Sequence, residues 1–211
     1  MSIAYKISGY NRRRKYRAFL KILKPQPETK ILDVGFTEEE YSSSDNFLEK
    51  NYPYPTKITA LGLQAPEQFS QRYPQIKALT YDGKKFPFSD RKFDIIWSNA
   101  VLEHVGSKAD QIFFLQEIRR VGRQAFITTP NKNFPIEVHT RTLFLHFLPK
   151  LIFDSYLRLI GKGWATGSYM NLLTIKKLRG LLKEAGIDHY QIIKNRWGGF
   201  ILDLVVIIKD N

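Results

Sequence analysis

The 211-residue chain contains no cysteine. That absence excludes disulfides, thiolate metal sites, iron–sulfur clusters and a cysteine nucleophile. Histidine is scarce. His104, His139, His146 and His189 are scattered, and none has the i, i+4 partner of a helical zinc site, so no metal site is expected. Long apolar runs are missing too. The nearest, 142–160, is interrupted by His146, Pro149, Lys150, Asp154 and Arg158, short of the ~18–20 apolar residues that a membrane span requires. The N-terminal arginines are followed by no apolar h-region, so no secretory leader is expected. These absences predict a cytoplasmic protein, peripheral to a membrane where it meets one.

What is present suits a folded domain. Hydrophobic residues make up 43% and aromatics 14%, which argues against disorder. The length suits one domain, 1–211, with a core that needs no staples. The formal charge is +13. Residues 1–30 carry nine basic and one acidic side chain, whereas 31–70 carry two basic and seven acidic ones. The excess is therefore mostly an N-terminal patch, 1–27, centred on Arg12-Arg13-Arg14-Lys15-Tyr16-Arg17. Such a patch attracts phosphates of nucleic acid, lipid headgroups or a substrate. A solvated basic helix is the plain alternative.

Apolar β-rich runs alternate with helical patterns. Residues 10–24 read as a basic helix stopped by Pro25 and Pro27. Strands are expected at 31–35, 57–62, 76–80, 93–98 and 124–129, with helices at 66–73 and 108–121 and partial helix over 38–50. An apolar helical insertion, lid-like, is expected over 140–170. Residues 174–185 read as a helix closed by Gly186. Strands at 189–194 and 200–209 flank Trp197-Gly198-Gly199 and suggest a hairpin. The predicted class is α/β, a doubly wound seven-stranded sheet, mostly parallel with one antiparallel edge-hairpin strand.

In an open α/β sheet, ligands bind outside the carboxyl ends of the strands. Polar residues gather there: Asp33-Val34-Gly35, Gly62-Leu63-Gln64, Tyr81-Asp82-Gly83, Ser98-Asn99 with Glu103-His104, and Thr128-Thr129-Pro130-Asn131. The segments 31–35, 81–88, 93–105 and 127–131 resemble class I S-adenosylmethionine-dependent methyltransferases. The run 86–105 is similar to the small-molecule, ubiquinone/menaquinone-like subgroup (methyltransferase type 11). The resemblance implies a Rossmann-like sheet and S-adenosylmethionine as cofactor. It also implies residue roles. Asp33 and Gly35 would shape the turn under the methionine end. Asp82 would bond the adenine amino group, and Gly83 would let the backbone approach the ring. Asn99 would present its backbone to the methionine portion, and Gln64 would take the ribose position. Glu103 and His104 would sit at the mouth.

The first loop departs from the family's Asp-x-Gly-x-Gly-x-Gly, because Phe36-Thr37-Glu38-Glu39-Glu40 contains no further glycine. A course unlike the usual tight turn is expected. The three glutamates either attract the cationic sulfonium or begin a helix, and the helix macrodipole favours the second reading. For Asp82 the plain alternative is a turn residue before Gly83.

His104 and His139 are the candidate general bases for an oxygen acceptor. Glu103, Asn131 and Glu137 are the candidate acceptor-binding residues. The expected acceptor is a small or lipid-linked molecule, with an anionic membrane surface meeting the basic N-terminus and nucleic acid less favoured. Two alternatives stand beside it: a methyltransferase-like scaffold that has lost turnover, and an RNA methyltransferase.

Overall fold

A computed structural model describes residues 3–137, 139–167 and 170–210, with side chains from residue 8 onward. Its elements in chain order are α1 (Ile3–Leu23), β1 (Ile31–Val34), α2 (Phe47–Asn51), β2 (Ile58–Gly62), α3 (Glu67–Arg72), β3 (Lys77–Thr80), β4 (Phe93–Asn99), α4 (Lys108–Val121), β5 (Gly122–Pro130), β6 (Ile136–Glu137), β7 (Thr142–Leu143), α5 (Lys150–Leu159), α6 (Ile175–Glu184), β8 (Tyr190–Trp197) and β9 (Phe200–Ile208). Seven strands form one sheet in the order β3-β2-β1-β4-β5-β9-β8, and β6 pairs with β7 separately. Strands β1 to β4 are parallel: β1 meets β2 at Ile31–Ile58 and β4 at Ile31–Ile95, and β3 pairs with β2. The final pair, β8 and β9, is an antiparallel hairpin with β8 at the sheet edge. The expected α/β, Rossmann-like sheet is what the chain adopts.

The chain packs as two compact units, one comprising residues up to 97 with 119–126 and 210, the other 98–118 and 127–209. In the first unit all four residues of β1 are buried. Burial of every residue, three of them apolar, is what a parallel strand covered on both faces requires, and Asp33 is the one polar exception. Helix α1 begins well before residue 10 and anchors through Phe19, whose ring lies edge-on to Trp97 at 5.1 Å and Phe126 at 5.7 Å. The basic helix is therefore not wholly solvated, and Lys15 is buried.

The glycine-poor loop after β1 contains no helix at 38–40, contrary to the macrodipole argument. Its acidic side chains act on other elements instead. Glu38 accepts the backbone N–H groups of Gln68 (2.6 Å) and Phe69 (3.0 Å), satisfying donors at the start of α3. Glu40 pairs with Lys50 at 2.6 Å and accepts the Tyr73 hydroxyl at 2.6 Å. Asn46 clamps Thr37 from both sides, accepting its N–H and donating to its carbonyl, each at 2.8 Å. The ring of Phe36 is buried against Phe69, centroids 4.5 Å apart, and occupies the space a side chain at Gly62 would need.

In the second unit, α6 opens with the Thr174 hydroxyl accepting the Lys177 N–H, and Leu178, Leu181 and Leu182 bury its apolar face. Gly198 and Gly199 turn the β8–β9 hairpin at φ 55° and 86°. The segment after β5 is not the continuous helix its apolar content suggested. It first forms the β6–β7 hairpin, then a short 3-10 turn at Leu145–Phe147, and only then α5. Phe153 and Leu157 of α5 pack into a small cluster with Ala165 and Met170.

Candidate functional site

The first unit carries the candidate cofactor residues other than Asn99 at the carboxyl ends of its strands. Gly35 directly follows β1 at φ 103°, and its N–H donates to Leu61 at 2.8 Å, tying the ends of β1 and β2 together. Asp33 is buried and within hydrogen-bonding reach of Glu49. Burial, followed by the Glu49 carboxyl, pushes Asp33 well above the ordinary carboxylate range, while the charge of Arg12 pulls the other way. Gln64 and Asp82 are exposed beyond β2 and β3, and the Thr80 hydroxyl donates to the Gln64 carbonyl at 3.2 Å. One Asp82 oxygen accepts the Lys84 N–H at 3.0 Å, the contact of a turn residue. Gly83 sits at φ 80°, where an L side chain is strained. An exposed carboxylate beside a bare left-handed glycine fits the adenine edge of S-adenosylmethionine.

The second unit brings together four of the predicted residues. Glu103 follows β4 and is 0% exposed, not at an open mouth. Its Oε2 accepts the Thr129 hydroxyl at 3.0 Å, and the Glu103 carbonyl accepts the Asn171 N–H at 2.7 Å. Burial raises its carboxyl, against the pull of the imidazoles of His104 and His139. The Nε2 atoms of His104 and His139 lie 3.2 Å apart, with their rings edge to face. Oε1 of Glu103 lies 3.8 Å from His139 Nε2 and has no hydrogen-bond partner among the described residues.

Glu137, expected to contact the acceptor, instead holds His139. Its Oε1 accepts from Nδ1 at 2.7 Å, while its Oε2 accepts the N–H and hydroxyl of Thr140 at 2.5 and 2.6 Å. Burial alone would raise this carboxyl, but the bonds from His139 and Thr140 hold it down to about 2. Asn131 is likewise turned inward. It is buried, and its amide donates to the Ile201 carbonyl at 2.9 Å. Asn99 ends β4 with its Oδ1 accepting the Thr128 hydroxyl at 2.7 Å. Sequence reading placed Thr129 at a strand end without linking it to Glu103, and gave no sign of the direct contact between His104 and His139. A cavity of about 730 Å³ between α5, α6 and 170–174 is lined by none of the predicted site residues.

Residues 47–125 match the family model described as a methyltransferase domain. No curated protein matches the sequence. Among solved structures, a SAM-dependent methyltransferase from Aquifex aeolicus superposes with a TM-score of 0.57 at 15% identity, covering 91% of this chain and 88% of that one. The N-terminal domain of EvdMO1, crystallised in the presence of SAH and D-fucose, gives 0.57 at 17% identity, covering 95% and 83%. This chain spans 41% of full-length EvdMO1. A SAM-dependent methyltransferase from Methanosarcina mazei gives 0.55 at 18% identity, covering 88% and 94%.

Proposed function

We propose that this chain is a class I S-adenosylmethionine-dependent methyltransferase that methylates a hydroxyl of a lipid-linked or similarly apolar acceptor, a reading supported by the methyltransferase-domain match and the shared fold. The cofactor, when bound, supplies an electrophilic methyl group for in-line displacement, a step governed by alignment. Asp82 and Gly83 would hold the adenine, Gln64 the ribose, and Gly35 the methionine turn. A hydroxyl acceptor must also lose its proton. Glu137 holds Nδ1 of His139 as the protonated nitrogen, so the neutral ring carries its lone pair at Nε2, which meets His104 Nε2 at 3.2 Å and would exchange that contact for the acceptor's proton. The carboxylate then stabilises the imidazolium that forms.

The acceptor class is carried by one observation, the outer face of α5 and its approach. Leu151 and Leu159 are 83% and 85% exposed, and Phe144, Phe147, Ile152 and Trp164 are exposed beside them in sequence. An apolar surface of this kind suits a lipid-bearing partner. Arg158 lies among these apolar residues and suits phosphates at an anionic bilayer, whereas Lys150 pairs with Asp154 at 3.0 Å and Lys162 donates to the Thr140 carbonyl. Among the described residues no helix is long and apolar enough to cross a membrane, which leaves surface contact. Co-sedimentation with vesicles of anionic lipid is expected for the native chain and lost in Leu151→Glu/Leu159→Glu. Tight RNA binding at the same salt without vesicle association favours the nucleic-acid reading instead.

A further inference from the structure

We propose that Glu103, His104 and His139 form a binding site for one divalent transition-metal ion, of the zinc or cobalt type. One ligand atom from each of the three lies within 4.8 Å of the others. Two of the separations are 3.2 Å (Nε2 to Nε2) and 3.8 Å (Nε2 to Oε1). With metal–ligand bonds of about 2.1 Å, donors on one ion stand roughly 3.0 Å apart in an octahedron and roughly 3.4 Å in a tetrahedron. These two separations bracket the tetrahedral spacing of donors that share an ion, and the third, within 4.8 Å, closes to it by side-chain rotation of the ångström scale.

Two independent features point the same way. Oε1 of Glu103 is wholly buried, aimed at the histidine pair, and without a hydrogen-bond partner among the described residues. A buried carboxylate oxygen in that state carries a desolvation cost that a cation removes. The second feature is Glu137. A histidine ligand characteristically donates its other ring N–H to a carboxylate, which fixes the tautomer and raises the basicity of the ligating nitrogen. Glu137 accepts from His139 Nδ1 at 2.7 Å, which leaves Nε2 as the donor atom facing Glu103 and His104.

The donor set selects the ion class. Two imidazoles and one carboxylate suit zinc, cobalt, iron or nickel better than magnesium, which prefers oxygen. Three protein donors also leave a coordination position open, as in catalytic zinc sites. An acceptor hydroxyl placed there would lose its proton more readily. With the ion in place both Nε2 lone pairs are ligands, so His139 would orient the ion instead of taking the proton, and the proton of an ion-bound hydroxyl would pass to bulk water. The site itself rests on the cluster and not on the identity of the acceptor.

The test is ion binding by the full chain after chelator treatment, with Zn²⁺ followed by calorimetry and Co²⁺ by its visible absorption. One equivalent is expected, with Mg²⁺ failing to compete. His104→Ala and His139→Ala should each weaken binding by at least about 100-fold, and Glu137→Gln by roughly 10–100-fold. As a check that needs no variant, Zn²⁺ should protect both histidines from carbethoxylation in the native protein. Absence of saturable Zn²⁺ and Co²⁺ binding by the native chain overturns the proposal. So does undiminished binding in a folded His104→Ala/His139→Ala double variant, or equal carbethoxylation with and without Zn²⁺. Stoichiometric metal binding in a chain that transfers no methyl group keeps this site and removes the proposed function, so the two failures are separable.

Discussion

Glu137 and His139 are joined twice, through the ring at Nδ1 (2.7 Å) and through the backbone N–H of His139 (3.1 Å). The carboxylate that orients the imidazole also closes the turn between β6 and β7, because Thr140 donates to it from both backbone and side chain. One buried acid therefore couples the stability of the hairpin to the aim of His139. Glu137→Ala should cost about 3 kcal/mol, since it strips several buried donors of their acceptor. Glu137→Gln should fold with a smaller loss and yet slow methyl transfer by at least about tenfold. Denaturant unfolding and single-turnover rates on the two variants separate the effects. Equal losses of stability and rate in both would remove the orienting role.

Asp82 offers a cleaner probe of the cofactor site because it is exposed. Asp82→Ala removes one turn contact, to Lys84 N–H, and should lower the melting temperature little. Affinity for S-adenosylmethionine should fall roughly 10–150-fold, the value of a hydrogen bond to a charged group, about 1.5–3 kcal/mol. Calorimetric titration of variant and native chain measures it. Unchanged affinity assigns Asp82 to the turn alone.

Gly62 and Phe36 should be energetically coupled. A Cβ at 62 would stand 2.5 Å from Cε1 of the Phe36 ring, which is itself backed by Phe69. Gly62→Ala should therefore cost about 1–3 kcal/mol by overpacking. In a Phe36→Ala background the same change should cost much less. A double-mutant cycle by chemical denaturation reads the coupling directly, and additive losses would mean that the ring moves aside freely.

Asp33 and Glu49 predict a pH dependence of stability. Burial is the leading reason both carboxyls are raised above their ordinary values in the folded chain. The folded state therefore binds more protons than the unfolded state between the ordinary and the raised values. The stability this pair contributes is complete below about pH 4 and is lost as pH rises through the folded values. Glu49→Gln keeps the size and hydrogen-bonding capacity while removing one charge. Its melting temperature relative to the native chain should climb as pH increases from 4 to 8. A difference that stays constant across that range would show that the pair titrates normally.

Much of the scaffold was legible in the sequence because it depends on local patterns. The buried run 31–34, the helical apolar spacing of 108–121, Gly186 closing the helix before it and the Gly198-Gly199 turn each state their conformation within a few residues. The errors arose where a side chain answers to distant partners. Glu38 to Glu40 satisfy every local criterion for a helix start, but Glu38 caps α3, some thirty residues on. The apolar run after β5 has helical composition throughout, yet the pairing of Ile136 with Leu143 claims its first part for a hairpin.

The sequence by itself determined the alternating α/β order, the polar residues at the strand ends and the loss of glycine after Gly35. These follow from periodicity and from which residues tolerate which backbone angles. Only the tertiary structure decided what those residues face. It filled the glycine-poor loop with Phe36, turned Glu137 and Asn131 inward, and set His104 and His139, 35 positions apart, with their Nε2 atoms 3.2 Å from each other. The physical reason is that a polar side chain leaving water must find its partner wherever the fold places one, and sequence spacing carries no record of contacts made by long-range packing.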